Sequence, residues 1–359
     1  MFLNSLQCLA QPSKIQDFLK LSEIYPEQTL KQIEQQLLLT TLPNNQRAML
    51  HSIKADAAYY VDQPDLILDA AQKALSSGLL NRRWQVKTLI TKARGHYQMK
   101  EYKQFFQAAN EAVLKSEQYN LTVLKAAAVI ERANANALFK KHTKSEEDLA
   151  LANRYLKALP DTFTKGVMQE RYTGALRLLG RFEEAVISQH KSIEVFKKTQ
   201  SIHFLAVSYY NLGRVYDAAG DIEKATENME LSYRWALEDR NKLNQAFSLS
   251  RLAEYQLKLN QTAEAEKTLI KALKIADQSP SFKVQFLARK DLALLTCTKT
   301  SNLACQNSLN AAIVFAGKYN MLADKSELLQ RLAAAYFQVE QYQLAYQTLK
   351  QSLTLVREN

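Results

Sequence analysis

The hydrophobic positions of this 359-residue chain recur every forty residues. Within each period they keep the three-to-four spacing of amphipathic helices. One column reads Tyr172, Leu212, Leu252, Leu292 and Leu332, and the next reads Thr173, Gly213, Ala253, Ala293 and Ala333. A third reads Ala185, Ala225, Ala265, Cys305 and Ala345; a fourth, Gln189, Met229, Leu269, Leu309 and Leu349; a fifth, Ser192, Ser232, Ala272, Ala312 and Ser352. Five repeats keep this register without an insertion from about Gly166 to the C-terminus. Each has room for two antiparallel helices with a turn at Gly180, Gly220, Asn260, Thr300 or Glu340. Gly and Asn suit a left-handed helix exit, whereas Thr300 and Glu340 do not, so those two turns are expected to be built differently. Close helix crossings require small residues, which explains the Gly/Ala and Ala/Ser columns. A lone hairpin cannot bury its apolar face, so stability must come from stacking.

The preceding residues are looser. Lys92 to Ala112 reads as a hairpin turning near Lys100-Glu101-Tyr102, and Ala55 to Leu75 as another turning around Asp62-Gln63-Pro64. Tyr25-Pro26-Glu27-Gln28 opens an amphipathic helix running to about Leu39, and Asn134 to Pro160 supplies a further pair with a basic loop at Lys140 to Lys144. The expected organisation is irregular hairpins over 11–160 and five regular repeats over 161–359, roughly nine helical pairs in all. The fold class is all-α: a solenoid of antiparallel helix pairs in a right-handed superhelix, without strands.

The repeat pattern resembles the tetratricopeptide repeat. The resemblance rests on Leu212-Gly213, Tyr216, Gly220-Asp221, Ala225 and Ser232, and on Tyr336, Tyr342 and Ala345. Repeats of that family are usually shorter, so this array looks like the longer-helix variant of some bacterial regulators. Gln256 and Thr296 depart from the aromatic kept at Tyr216 and Tyr336, and no proline closes most repeats.

Composition agrees with long helices joined by short turns. Glycine occurs 8 times and proline 6 times, against roughly 25 and 18 at average usage. At 47% hydrophobic residues the chain can bury a sizeable core. No run of about 18 apolar residues is present to span a membrane. The net charge of +11 is dispersed, and its densest run, Lys140, Lys141, His142 and Lys144, falls in a loop, so it reads as a solvated surface. At the start, Phe2, Leu3 and Leu6 precede Cys8-Leu9-Ala10, which looks like the end of a secretory signal with Ala10 as its last residue. The basic segment and most of the apolar segment of such a signal are missing. A truncated remnant over 1–10 and a chance match both stay open, and with them a periplasmic and a cytoplasmic location.

Catalytic patterns are not found. His51, His96, His142, His190 and His203 are scattered without metal-ligand spacing, and no phosphate-binding glycine loop or nucleophile elbow occurs. Glu183-Glu184 and Glu146-Glu147-Asp148 fall near helix starts, where carboxylates complement the helix dipole. No enzyme, cofactor or metal is expected. Cys297 and Cys305 occupy core columns, which suits two small buried residues. They also flank one hairpin turn, and a bridge requires Cα atoms about 4.4–6.8 Å apart.

The first helix of each stacked pair lines the concave face. Beside the core stripe there, Arg171, Tyr210, Asn211, Arg214, Arg251, Lys290 and Arg331 form the expected ligand-binding groove; Arg171, Asn211, Arg251, Asp291 and Arg331 share one column. The resemblance implies that Asn211 and Arg251 hold a peptide backbone or carboxylates. It implies a non-catalytic module that binds a protein or peptide, similar to the periplasmic sensor regions of bacterial diguanylate cyclases and histidine kinases. Cytosolic quorum-peptide receptors of the Rap type, the ligand-sensing domain of maltose-type activators, a scaffold for a multiprotein complex and a nucleic-acid-binding helical repeat are the alternatives. The last helix, Leu344 to Arg357, shows no polar cap after Leu349 and Ser352, so either a fragment of a larger protein or an oligomer contact is expected there.

Overall fold

Where the helices stop decides the architecture. In the computed structural model, residues 15–279, 281–299, 303–319 and 321–357 are described; Cys8 to Ala10 and Thr300 lie outside them. Apart from Asp62 and Gly78, the positive-φ residues among those described fall at multiples of twenty: Lys100, Asn120, Lys140, Gly180, Gln200, Gly220, Arg240, Asn260 and Glu340, with φ between 53° and 87°. The residue after each returns its N–H to the carbonyl five positions back. Glu101 reaches His96, Lys141 reaches Asn136, Arg181 reaches Leu176 and Gln341 reaches Tyr336, each at 2.9 Å. This six-to-one bond closes a Schellman turn and satisfies a carbonyl the helix end would leave orphaned.

Glu340 therefore turns as Gly180 and Gly220 do, which corrects the expectation of a different construction there. A left-handed side-chain-bearing residue costs about 1–2 kcal/mol. Two backbone bonds, Glu340 N–H to Phe337 at 3.1 Å and Gln341 N–H to Tyr336 at 2.9 Å, offset that cost.

The chain divides into two compact units, Met1–Ser201 and Ile202–Asn359. The division lies further along than the change of regularity expected from sequence. The first unit holds α1 (Ile15–Ile24), α2 (Pro26–Leu37), α3 (Asn44–Tyr60), α4 (Pro64–Ser76), α5 (Arg82–Gln98), α6 (Tyr102–Gln118), α7 (Thr122–Leu138), α8 (His142–Ala158), α9 (Phe163–Leu178) and α10 (Phe182–Lys198). The second holds α11 (Ile202–Ala219), α12 (Ile222–Glu238), α13 (Lys242–Lys258), α14 (Thr262–Ala276), α15 (Phe282–Lys299), α16 (Leu303–Lys318), α17 (Leu322–Gln338) and α18 (Tyr342–Arg357). No strand occurs among the described residues. Regular spacing begins at α5, well before Gly166. No described helix is long and apolar enough to cross a membrane.

Within the first unit, α3 touches α5, α5 touches α7 and α7 touches α9; within the second, α11 touches α13 and α13 touches α15. The odd-numbered helices thus form an inner layer in each unit. The small columns sit where helices cross. A Cβ added to Gly213 would meet the Ala225 carbonyl oxygen at 3.0 Å and Met229 Cε at 2.6 Å. The Ala/Ser column has a second use, because Ser192 donates to the Gly166 carbonyl at 3.0 Å and Ser232 to the Ala206 carbonyl at 2.8 Å. Met229, Leu269 and Leu309 are at most 1% exposed, whereas Leu349 in the same column is 44% exposed. Tyr342, Tyr346 and Leu353 are exposed with it along α18.

Gly213→Val should lower stability by about 1–3 kcal/mol through overpacking. Gly213→Ala should cost less, since Ala253, Ala293 and Ala333 fill that column elsewhere. Urea unfolding of the full chain measures both.

Candidate functional site

The inner layers of the two units use their charged side chains differently. In the first, Glu131 on α7 is fully buried. It accepts from Arg94 Nε on α5 at 2.7 Å and from Arg171 Nη2 on α9 at 2.6 Å. Arg94 lies 5.3 Å over the Tyr59 ring and Arg171 4.9 Å over the Tyr97 ring. Asn134 Nδ2 donates to the backbone carbonyls of Ile130 and Arg171. Further toward the N-terminus, Asp56 on α3 accepts from Lys87 and Thr91 on α5. The rings of Tyr60 and Phe163 meet edge-on at 6.4 Å, bringing the end of α3 to the start of α9.

Burial alone would raise the Glu131 carboxyl, but Arg171 and Arg94 outweigh it and hold it below the usual carboxylate range. The two arginines are therefore held by one carboxylate and two rings. Arg171, expected in the groove, lies in the first unit and is committed to Glu131. Sequence reasoning missed Glu131, Arg94 and Asp56. The column that contains Arg171 reaches Glu131 when carried forty residues back, and that was the available signal.

The second unit brings together five of the expected groove residues. Tyr210, Asn211 and Arg214 lie on α11, Arg251 on α13 and Lys290 on α15; all are half-buried. Arg251 pairs with Glu254, and the Tyr210 phenol also faces it. Arg214 lies 6.0 Å over the Tyr210 ring, and Lys290 lies 6.0 Å over Phe286. Lys258 bridges Asp217 at 2.5 Å and Glu254 at 3.4 Å. Tyr255 is fully buried, and its hydroxyl has no hydrogen-bond partner. Arg331 on α17 is exposed, and no hydrogen bond or ion pair ties it to these residues.

Asp291 on α15 was noted in the sequence as a column member only. It is half-buried, and burial followed by the Glu254 charge pushes its carboxyl up to about 7 against the opposing pull of Lys290 and Arg251. Cys297 and Cys305, at the α15–α16 turn, have Cα atoms 4.6 Å apart and joined sulfurs. Among the described residues no group of three or more His, Cys, Asp or Glu side chains is arranged to hold a metal.

Residues 168–238 match the family profile described as Tetratricopeptide repeat. That segment carries tetratricopeptide repeats. Sequence comparison with curated proteins gives no match. Among solved structures, this repeat chain is similar to a Rap protein complexed with Competence and Sporulation Factor, at 15% identity and a TM-score of 0.60, covering 96% of each chain. It is also similar to the apo quorum sensor NprR from B. thuringiensis, at 13% identity and a TM-score of 0.57, covering 95% of this chain and 97% of that one. A third is aspartyl phosphate phosphatase F from Bacillus subtilis, at 13% identity and a TM-score of 0.53, covering 98% and 96%. At these identities the likeness is one of fold: a solenoid of tetratricopeptide-like helix pairs.

Glu131→Gln should destabilise the protein by about 3–5 kcal/mol, because it leaves two guanidinium groups facing a neutral amide in a buried site; denaturant unfolding measures it. Asp291→Asn should act in the opposite sense. The folded state holds the Asp291 proton more tightly than the unfolded chain does. Asp291 therefore costs stability as pH rises from about 4 toward 7, and the cost persists above that. The variant's melting temperature should gain on the parent's across that interval and level off beyond it.

Proposed function

We propose that the chain is a non-catalytic module that binds a protein or peptide along the inner helices of its second unit, as the ligand-sensing part of a bacterial signalling protein. The observation that carries this reading is the set of donors Asn211, Arg214, Arg251 and Lys290 on three successive inner helices, α11, α13 and α15, all partly open to solvent. Amide and guanidinium groups at repeat spacing suit the carbonyls and carboxylates of an extended peptide. A charge-assisted hydrogen bond contributes about 1.5–3 kcal/mol, so the loss of one weakens binding about tenfold or more.

A second reading, a quorum-peptide receptor, is favoured by the Rap and NprR structures. Their fold extends over nearly the whole of this chain and of their own, and the Rap structure holds Competence and Sporulation Factor. Both readings use the same surface. The proposed bridge between Cys297 and Cys305 would suit an oxidising compartment. Mass spectrometry under non-reducing conditions should then give a chain lighter by two hydrogens, and two free thiols in protein recovered from such a compartment would reject it.

Peptides selected from a random display library against the full chain test the groove. Arg251→Ala and Asn211→Ala should each weaken the selected peptides about tenfold, while Lys274→Ala, at an exposed position on α14, should not. An exposed polar substitution usually changes stability by about 0.5 kcal/mol or less, so Lys274→Ala should melt like the parent, and the affinities of the two half-buried variants are read well below their own melting temperatures. Equal affinities in all three variants would place the binding surface elsewhere, with the exposed face of α18 the next to test.

A further inference from the structure

Of the three carboxylates around Arg251 and Lys258 on the inner helices of the second unit, Glu254 and Asp217 are paired and Asp291 is not. Arg251 and Lys258 both reach Glu254, and Lys258 also reaches Asp217. Lys290, beside Asp291 on the same helix, lies over the Phe286 ring. No hydrogen bond or ion pair reaches the Asp291 carboxylate among the described residues. Glu131 and Arg171, in the same column of the first unit, are by contrast bonded to each other. An ionised carboxylate partly withdrawn from water without a donor is unfavourable, and a proton or a cation relieves it more strongly than a neutral donor does.

A second unsatisfied group stands on the neighbouring inner helix. The Tyr255 hydroxyl, on α13, is buried without a partner, and the charges that act on it are those of Asp217, Arg251 and Glu254, together with the Tyr210 phenol. That hydroxyl is sealed from solvent and beyond a ligand's reach; the unsatisfied group open to a ligand is the half-buried Asp291 carboxylate on α15, and a peptide's basic group supplies the partner it lacks.

We infer that Asp291 is a cation-accepting position of the groove, which seats the amine or guanidinium of a basic peptide. The inference rests on the second unit's groove being the binding surface. The charged groups that face Asp291 are Lys290 on its own helix and Arg251 and Glu254 on α13. Arg251 is engaged by Glu254, so the ligand's cation does not compete with it for Asp291. With burial and Glu254 holding the carboxyl near neutrality, the cation enters as the proton leaves. Binding therefore strengthens as pH rises through that range, and one proton is released.

The net charge of +11 makes the test selective. Long-range attraction favours acidic peptides over basic ones, so preference for a basic peptide must come from a local site. The probes are three end-capped, fluorescein-labelled hexapeptides of alternating Lys-Ala, Gln-Ala and Glu-Ala. They are titrated with the full chain by fluorescence anisotropy at about pH 5.5 and 8.5 and constant ionic strength. The Lys-Ala peptide should bind about tenfold more tightly at the higher pH, the change expected for one ion pair of about 1.4 kcal/mol, and the Gln-Ala peptide should show no such change. Asp291→Asn should hold the Lys-Ala peptide at its weak, low-pH affinity throughout, and Asp291→Glu should restore part of the pH dependence.

Unchanged pH dependence in Asp291→Asn overturns the inference, as does a Lys-Ala peptide that binds no better than Gln-Ala at the higher pH. Arg251→Ala separates the two levels. If it weakens the Glu-Ala or Gln-Ala peptide while Asp291→Asn leaves Lys-Ala unchanged, the groove stands and the cation position falls. If neither variant changes any of the three, the groove falls as well.

Discussion

The turn with one left-handed residue and one six-to-one hydrogen bond is the constraint on which the rest depends. It recurs at multiples of twenty residues from Lys100 to Glu340 and fixes most helices at close to seventeen residues. Equal helices bring equal positions to equal depths. Gly213 can then face the Ala225 carbonyl, Ser232 can bond to a backbone carbonyl on the facing helix, and Asn211 and Arg251 can fall at corresponding places on consecutive inner helices. Without a common length the columns would drift, and no inner surface would present one kind of group at regular spacing.

The two units use that regularity to different ends. In the first, the inner layer closes on itself: Glu131 takes two arginines, each arginine covers a tyrosine, and Tyr60 meets Phe163. A buried ion network of this kind adds little stability compared with apolar packing, but breaking one member is expensive. In the second, the inner arginine and lysines are half-open, and Asp291 stands without a donor. The same repeat therefore builds a self-satisfied interior in one place and an unsatisfied polar surface in another.

Much of the second unit was legible in the sequence because small and large columns alternate there without insertion. The front half was under-read for a physical reason. At two of its left-handed positions stand Lys100 and Lys140, where the later repeats place Gly180 and Gly220, so the glycine that marks a turn was absent there although the turn was not. Glu340 misled in the same way. The Glu131 network was only half visible: Glu131 and Arg171 each lie nine residues before their turn residues Lys140 and Gly180, whereas Arg94 lies six before Lys100. Column reading compares like with like and cannot see the contact of Arg94 with an unlike position. Asp291 was visible as a column member, but its lack of a partner is a property of three dimensions.

The exposed stripe on α18 includes, at Leu349, a position that α12, α14 and α16 keep covered. Leu349 stands where Met229, Leu269 and Leu309 are sealed by the next helix. In engineering terms that face is a standard coupling. A hairpin written with the sequence of α13 and α14 and joined in phase would find there the surface its template already fits, so the array can be lengthened by copying a module without designing a new interface.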